Sequence, residues 1–427
     1  MAGRQPIRRV RVVVVDHDGG AMTLRCIESL HASTWDGEQD IVLVDNASSA
    51  PVVDEVARRW PDVRVVRCAR NLGFAGGANA GIGDLRDVDA VALVNNDAVV
   101  RAGWLAPLVA ALEHDDRVGA ACPKILLSGR YVEVAIASPA THRRRLDRRP
   151  LGVRLHDVHA PGGAFHLARG FWGPERGRGG EHQWTNGDAR LFAAVGGGDD
   201  AAVVRVLLSA NGPVPAQVCA GGVDIDAPIG PAPRWITVPV VGEAAVVVNN
   251  VGTVVRDDWY GADRGYLEVD RGQYDRSEEL EAWCGGAVLL AADHLGACGR
   301  FDERLFLYYE DLDLALRGRR RGWRFVLVPD SVVDHDHSAT AVSGSDLAEF
   351  HKERNRLVVM WRYAPRALAL RQTVHYLAST LSYLWRDVVV NVANGDPPTT
   401  RIVRRRLRSL ASACALRLSA GRRSPSR

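Results

Sequence analysis

Lysine is nearly missing from this chain. Of 427 residues 54 are basic, yet only Lys124 and Lys352 are lysines, and neither follows a glycine. A Gly-Lys-Ser/Thr phosphate loop presents its lysine at the end of a glycine turn, so P-loop ATPases and GTPases are excluded. Cysteine is sparse and without pattern. Cys26, Cys68, Cys122, Cys219, Cys284, Cys298 and Cys414 are odd in number, widely spaced and never arranged as Cys-x-x-Cys. They suit buried thiols of a reducing compartment better than a zinc site or a disulfide frame. No run reaches the ~18 apolar residues of a membrane span. The basic start, residues 1–11, leads into a β-branched run with no small-residue cleavage site, so a secretory leader is not expected. Net charge is only +3, and 47% hydrophobic with 25% charged residues is an ordinary globular balance. At roughly 150 residues per domain, the length allows two or three domains.

What is present is an alternation of short strands and helices. Residues 12–15 are β-branched, 23–31 helical, 41–44 a second strand and 52–60 a second helix. Strands at 63–67 and 91–94 continue the series, with a helix at 104–113 before Val118. This order predicts a mostly parallel sheet covered on both faces, which binds ligands beyond the carboxyl ends of its strands. Those ends are polar. They read Asp16-His17-Asp18-Gly19-Gly20, Asp45-Asn46-Ala47-Ser48-Ser49, Asn71-Leu72-Gly73-Phe74-Ala75-Gly76-Gly77-Ala78-Asn79 and Asn95-Asn96-Asp97. Turn geometry alone explains any one of these loops, but four on one sheet edge point to a site.

From about Tyr131 to Asp275 the texture changes. Arg143, Arg144, Arg145, Arg148 and Arg149 form a basic loop, read as solvated, and runs at 201–208, 235–241 and 245–248 between Gly and Pro turns predict an inserted antiparallel β module. The α/β texture resumes with a strand at 283–290. Residues 301–309 then lead into Glu310-Asp311-Leu312-Asp313, followed by a helix at 312–321 in which Asp313 and Arg317 are spaced for an i,i+4 pair, and by a strand at 325–328. From about Val342 the chain is helical. Residues 401–427 hold nine arginines and no acid, and 368–392 is apolar and aromatic with Arg371 and Arg386 interspersed. That pattern fits either a basic tail or a dock for anionic lipid head groups.

In sequence order, Val12-Val13-Val14-Val15 with Asp16-His17-Asp18-Gly19, then Val44-Asp45-Asn46-Ala47-Ser48, the Asn71–Asn79 segment, Leu93-Val94-Asn95-Asn96-Asp97 and Tyr308-Tyr309-Glu310-Asp311-Leu312-Asp313 resemble the family 2 inverting glycosyltransferases of the GT-A fold. The nearest sub-pattern is the rhamnosyltransferase- or galactofuranosyltransferase-like group of bacterial envelope enzymes. The resemblance covers about residues 8–130 and 250–362. It implies an α/β fold: a GT-A core, Rossmann-like with a mostly parallel sheet, interrupted by an inserted β-rich module and followed by a helical C-terminal region. The boundaries expected are 8–130 for the nucleotide-sugar-binding half, 131–250 for the module, 251–340 for the acceptor and catalytic half, and 341–427 for the basic helical end.

The resemblance also implies roles. Asp45 would anchor the nucleoside, Asn71 and Asn79 would frame its pocket, and Gly73 and Gly76 would let backbone approach it. Asn95, Asn96 and Asp97 stand where the family has an Asp-any-Asp metal motif, with Asp97 as the carboxylate ligand and Asn95 nearer the sugar or ribose. His335 matches a late histidine ligand, and His337 is its rival. Such ligands with a diphosphate suit Mg²⁺ or Mn²⁺. Asp311 would be the general base and Glu310 would orient it or the acceptor, although the helix dipole alone also favours first-turn acids. Phe306, Tyr308 and Tyr309 offer stacking surfaces, and Trp283, Gly285 and Gly286 an acceptor-side wall. The implied partners are a dTDP- or UDP-sugar donor, a glycan or polyprenyl-linked acceptor and an anionic membrane surface at the basic C-terminus. No nucleic-acid partner is expected, and the expected location is cytoplasmic, against the inner face of the plasma membrane. The alternative is a catalytically silent carbohydrate-binding protein whose β module does the binding; the joint presence of Asp97, Asp311 and His335 weighs against it.

Overall fold

β-branched runs too short to span a face alone become strands here because helices cover both sides. In the computed structural model, which describes residues 4–50, 52–141, 146–177, 180–196, 202–336 and 345–421, Val12, Val13 and Val14 are all buried. β1 (Arg9–Asp16), α1 (Ala21–Ala32), β2 (Glu38–Asp45), α2 (Val53–Arg59), β3 (Arg64–Arg67), α3 (Gly73–Ile82) and β4 (Ala90–Asn95) alternate as the sequence predicts. β5 (Ala98–Val100), α4 (Leu105–His114) and β6 (Val118–Leu127) follow.

The chain then leaves this sheet for a second one. β7 (Arg130–Ala137), β8 (Arg154–His159), β9 (Phe165–Phe171), β10 (Glu175–Gly177), β11 (Gly180–Val195), β12 (Val203–Ser209), β13 (Val214–Ala220), β14 (Val223–Ile229) and β15 (Arg234–Pro239) form one antiparallel sheet around a core of its own. Val134, Ile136, Val206, Leu208, Val218 and Val238 fill that core. Of the basic loop, Arg143, Arg144 and Arg145 lie outside the described residues, and Arg149 pairs with Asp147 (2.7 Å) and Glu175 (2.6 Å).

The third expected run of the module behaves differently. β16 (Val248–Asn250) pairs with β6, so the chain has returned to the first sheet by Val248. β17 (Thr253–Val255) and β18 (Gly261–Asp263) form a hairpin, and β19 (Glu278–Glu279), β20 (Ala287–Ala291), α5 (Ala292–Cys298), α6 (Glu310–Arg319) and β21 (Arg324–His335) complete the core. β21 is longer than the strand expected at 325–328, because a register shift between Val328 and Val332 lets pairing with β6 resume through His335.

The first sheet runs β19-β21-β6-β20-β4-β1-β2-β3. β1 is parallel to both β2 and β4, whereas β20 is antiparallel to its neighbours β4 and β6. The chain moves outward from β1 to β3 and then restarts at β4 on the other side. A crevice therefore opens at the carboxyl ends of β1 and β4, where ligands bind such sheets. Asp16 and Asp45 are register partners at that edge, and Val15 is level with Asn95.

The last region is helical. α7 (Asp346–Tyr363) starts at a Ser345 cap whose Oγ accepts from Ala348 N (3.2 Å). α8 (Arg366–Leu384) runs on through a π-helical turn (Trp385–Val390) into α9 (Asn391–Ala393), and α10 (Arg401–Gly421) packs back on α7 and α8. No helix of the described residues is long and apolar enough to cross a membrane.

Candidate active site

Asp16 closes β1 and is fully buried. Its Oδ1 accepts from Gly19 N (3.0 Å), Thr23 Oγ1 (2.6 Å) and Asn96 Nδ2 (2.9 Å), and its Oδ2 from Ser48 Oγ (3.2 Å). One carboxylate thus ties together the loops after β1, β2 and β4, and Asn96 is buried within that tie. Asp45, at the end of β2, accepts the amide of Ser48 at 2.9 Å. Beside it, Asn46 donates to Asn71 Oδ1 (3.1 Å) and Gly73 O (3.0 Å), and Asn71 Oδ1 also accepts Gly73 N (2.8 Å). The two amides fix the turn into α3. Gly73 has φ +69°, and a Cβ there would stand 2.3 Å from Phe306 O, so both conformation and space require glycine. A Cβ on Gly76 would meet Leu72 at 2.6 Å. Asn79 is engaged away from the crevice: it donates to Phe301 O and Glu303 Oε1 (both 3.0 Å) and accepts Phe301 N (3.1 Å).

Asp97 and His335 meet although 238 residues separate them. β5 pairs with the end of β21, and Asp336 N donates to Asp97 O (2.9 Å). His335 Nε2 lies 3.0 Å from Asp97 Oδ1 and 3.4 Å from Asn95 Nδ2, while Nδ1 lies 2.9 Å from Asn249 Oδ1. Both Asp97 and His335 are buried. With Nδ1–H donated to Asn249, Nε2 and the Asp97 oxygen would form a nitrogen–oxygen pair that suits a cation. Among the described residues no third acid, histidine or cysteine completes a metal-binding group. A metal held here would draw its remaining ligands from bound phosphate or water, as Mg²⁺ commonly does. His337 lies outside the described residues.

Asp311 sits in the first turn of α6, behind a strained loop. Phe306 (φ +66°), Tyr308 (φ +65°) and Tyr309 (φ +70°) all have positive φ, which bulky residues rarely adopt. The loop is held from outside. Asn355, fully buried on α7, places Nδ2 within 2.7, 2.9 and 2.7 Å of the carbonyl oxygens of Leu305, Leu307 and Tyr308. Arg354 donates to Leu305 O (2.7 Å), Tyr309 Oη accepts Gly261 N (3.1 Å), and the Phe306 ring stacks on His351 at 4.9 Å. Asp311 then accepts Gly285 N at Oδ2 (3.0 Å) and its own helix's Leu312 N at Oδ1 (2.7 Å). Burial raises its carboxyl above the ordinary aspartate value, although these N–H donors pull it back. Glu310 is buried with Oε2 unpartnered, and desolvation together with the charge of Asp311 pushes it well above the ordinary glutamate value. Asp313 is engaged in structure, pairing with Arg317 (3.1 Å) as the spacing predicts and with Arg362 (2.7 Å).

Two glycines join these groups. Gly285 N is bonded to Asp311, and Gly286 O accepts Asn95 N (2.9 Å), so one dipeptide separates Asp311 from the Asn95–His335–Asp97 cluster. Trp283 is fully buried, edge-on to Phe301, and supports this dipeptide from the core without presenting a wall to an acceptor. Sequence reasoning missed Asn249, Asn250 and Asp263. Asn249 holds His335, while Asn250 accepts Gly252 N (2.6 Å) and donates to the exposed Asp263. A signal existed: Val248-Asn249-Asn250 repeats Val94-Asn95-Asn96. Three residues beyond Asp263, Tyr266 opens a cavity of about 640 Å³ against the β module, lined also by Arg169, Arg190, Phe192, Glu268 and Arg271.

The site is thus a carboxylate–imidazole pair and a separate half-buried acid at one edge of an α/β sheet. Residues 11–168, from β1 into β9, match the family model for glycosyl transferase family 2. The chain is similar to the N-acetylglucosaminyl-diphospho-decaprenol L-rhamnosyltransferase of Mycobacterium tuberculosis, with 42% identity over 79 residues, or 18% of this chain. It spans about a quarter, 26%, of that relative's length. Among solved structures, GalNAc-T7 with UDP, GalNAc and Mn²⁺ matches with TM-score 0.48 and 15% identity, covering 85% of this chain and 49% of the other. S. aureus TarS 1-349 matches with TM-score 0.38 and 9% identity, covering 85% and 68%.

Proposed function

We propose that this protein is an inverting glycosyltransferase that moves a sugar from a dTDP- or UDP-sugar to a glycan or polyprenyl-linked acceptor in cell-envelope polysaccharide synthesis. One observation carries the proposal: a half-buried acid, Asp311, stands one glycine dipeptide away from the Asp97–His335 pair at the crevice of the sheet. The family 2 match supports it, and so does the decaprenyl-linked acceptor in the name of the mycobacterial relative.

In this assignment Asp45 and the turn fixed by Asn46 and Asn71 receive the nucleoside. Asp97 and His335 would hold a divalent cation, Mg²⁺ or Mn²⁺, whose charge offsets that developing on the departing diphosphate. The acceptor hydroxyl gives its proton to Asp311 as its oxygen bonds to the anomeric carbon. The bond from that carbon to the diphosphate oxygen breaks on the opposite face, so configuration inverts. Burial suits Asp311 to this role, because a carboxyl raised toward the working pH is a better proton acceptor. The Glu310 carboxyl beside it, raised by burial and by the charge of Asp311, holds its proton more tightly than an ordinary glutamate and can donate a hydrogen bond when protonated. The acceptor would enter past Asp263 and Tyr266.

The test separates chemistry from binding. Asp311→Asn is expected to lose transfer by at least about a thousandfold while UDP-sugar affinity in Mn²⁺, read by calorimetry, is kept. In the same titration Asp97→Ala is expected to lose the Mn²⁺-dependent part of donor affinity. Turnover of Asp311→Asn near that of the unaltered protein would remove Asp311 from the base role, and unchanged affinity in Asp97→Ala would remove the metal from Asp97.

A further inference from the structure

α8 exposes the wrong side chains for a solvated helix. Leu370, Val374, Leu377, Leu381 and Leu384, ending in Trp385, recur every three or four residues and so form one stripe about 22 Å long. Leu370 and Val374 are each 59% exposed and Leu381 67%. The stripe is a face left over after packing. Ala369, Tyr376 and Thr380 on another side are buried, with Tyr376 Oη donating to Arg406 O (3.0 Å) and Thr380 Oγ1 accepting Arg406 Nε (2.9 Å).

The charges around the stripe are of one sign. α8 has no acidic residue, and Arg366 and Arg371 are exposed along it. Of the arginines at the C-terminal end, which the sequence leaves as either a basic tail or a lipid dock, Arg406 is buried, pairing with Glu353 (3.1 Å) and lying 3.8 Å over Tyr376, while Arg401 and Arg405 pair with Asp346 (2.6 and 2.9 Å) and Arg417 lies over Trp361. The apolar stripe that an interface would take belongs to α8.

We propose that the α8 stripe seats the protein on an anionic bilayer, the helix lying in the plane of the interface with Trp385 at its boundary. A spanning role does not fit a helix interrupted by Arg366 and Arg371. A second copy of the chain fits less well than lipid, because a two-fold contact would set these arginines beside their own images with no acid on the helix to offset them. Anionic head groups supply the missing charge, and the acyl boundary takes the leucines.

The test is vesicle co-sedimentation of the full chain, which reads no transfer activity and so stands apart from the glycosyltransferase assignment. Vesicles of equimolar phosphatidylcholine and phosphatidylglycerol should carry the protein into the pellet, and phosphatidylcholine alone should bind it about tenfold more weakly. Leu377→Gln with Leu381→Gln should weaken binding about a hundredfold with circular dichroism unchanged. Should that variant misfold, Arg366→Gln with Arg371→Gln decides, with an expected loss of about tenfold on the anionic vesicles. Undiminished sedimentation of either folded variant overturns the proposal. So does a dimer in vesicle-free solution that the leucine substitutions convert to monomer.

Discussion

Glu310 and Asp311 are neighbours in sequence with unequal surroundings. Asp311 accepts two backbone N–H groups, whereas Glu310 Oε2 accepts none. Both carboxyls are raised by burial, Glu310 the more strongly because the charge of Asp311 adds to it while backbone N–H donors pull Asp311 back. The sign of the effect on stability follows. The folded protein binds the Glu310 proton more tightly than the unfolded chain does, so stability is fully present below the ordinary glutamate range and falls as pH rises toward the raised folded value. Glu310→Gln keeps the shape and removes the ionisation. It should raise the melting temperature at neutral pH, with the gain shrinking to nothing on acidification through the ordinary carboxyl range. Melting curves of both proteins across pH check this, and a constant offset at every pH would assign the effect to packing. Activity of the same variant should fall, the usual exchange between stability and function at a strained site.

The loop between the 3₁₀ turn at Glu303–Leu305 and α6 is shaped by elements distant in sequence. Asn355 reaches three of its carbonyls from α7, and Gly73 of α3 makes room for Phe306 O. Asn355→Ala should cost about 2–4 kcal/mol, read by denaturant unfolding, and should lower kcat more than donor affinity, because the loop aims Asp311. Equal losses in both would make Asn355 a purely structural residue. This loop also marks how far the sequence could be read. The strands of the first sheet were legible because Val-rich runs between Asn, Asp and Gly turns have few alternatives, and the i,i+4 spacing of Asp313 and Arg317 was local. The positive φ of Phe306, Tyr308 and Tyr309 contradicts local preference and arises from tertiary contacts, which no window of sequence contains. Trp283 is another case: its position beside Gly285 and Gly286 suggests a wall, and only the packing of Phe301 shows it to be core. Asn249 was hidden because its run resembles the module that precedes it.

At the scale of the whole molecule there are two cores joined by a small seam. The two faces of the first sheet and the β module bury separate clusters, and the seam holds Leu127, Tyr131, Phe192, Ala194 and Val247. Scanning calorimetry should resolve two transitions, with UDP and Mn²⁺ raising only the one that belongs to the first sheet. A single transition that moves as one would mean that the seam couples the cores fully. The placement of β20 between β4 and β6 has a further consequence, in time. Residues 128–286 emerge from the ribosome after β6 and before β20, an interval on the order of ten seconds or more at ~5–20 residues per second. Throughout it β4 lacks the neighbour it will have and offers a free, valine- and leucine-rich edge. The module emerging in that interval contains all the pairing partners of its own strands and can close its own core first. The nascent chain thus carries a finished domain on an unfinished sheet, and chaperone dependence during synthesis should be greatest between Leu127 and Ala287.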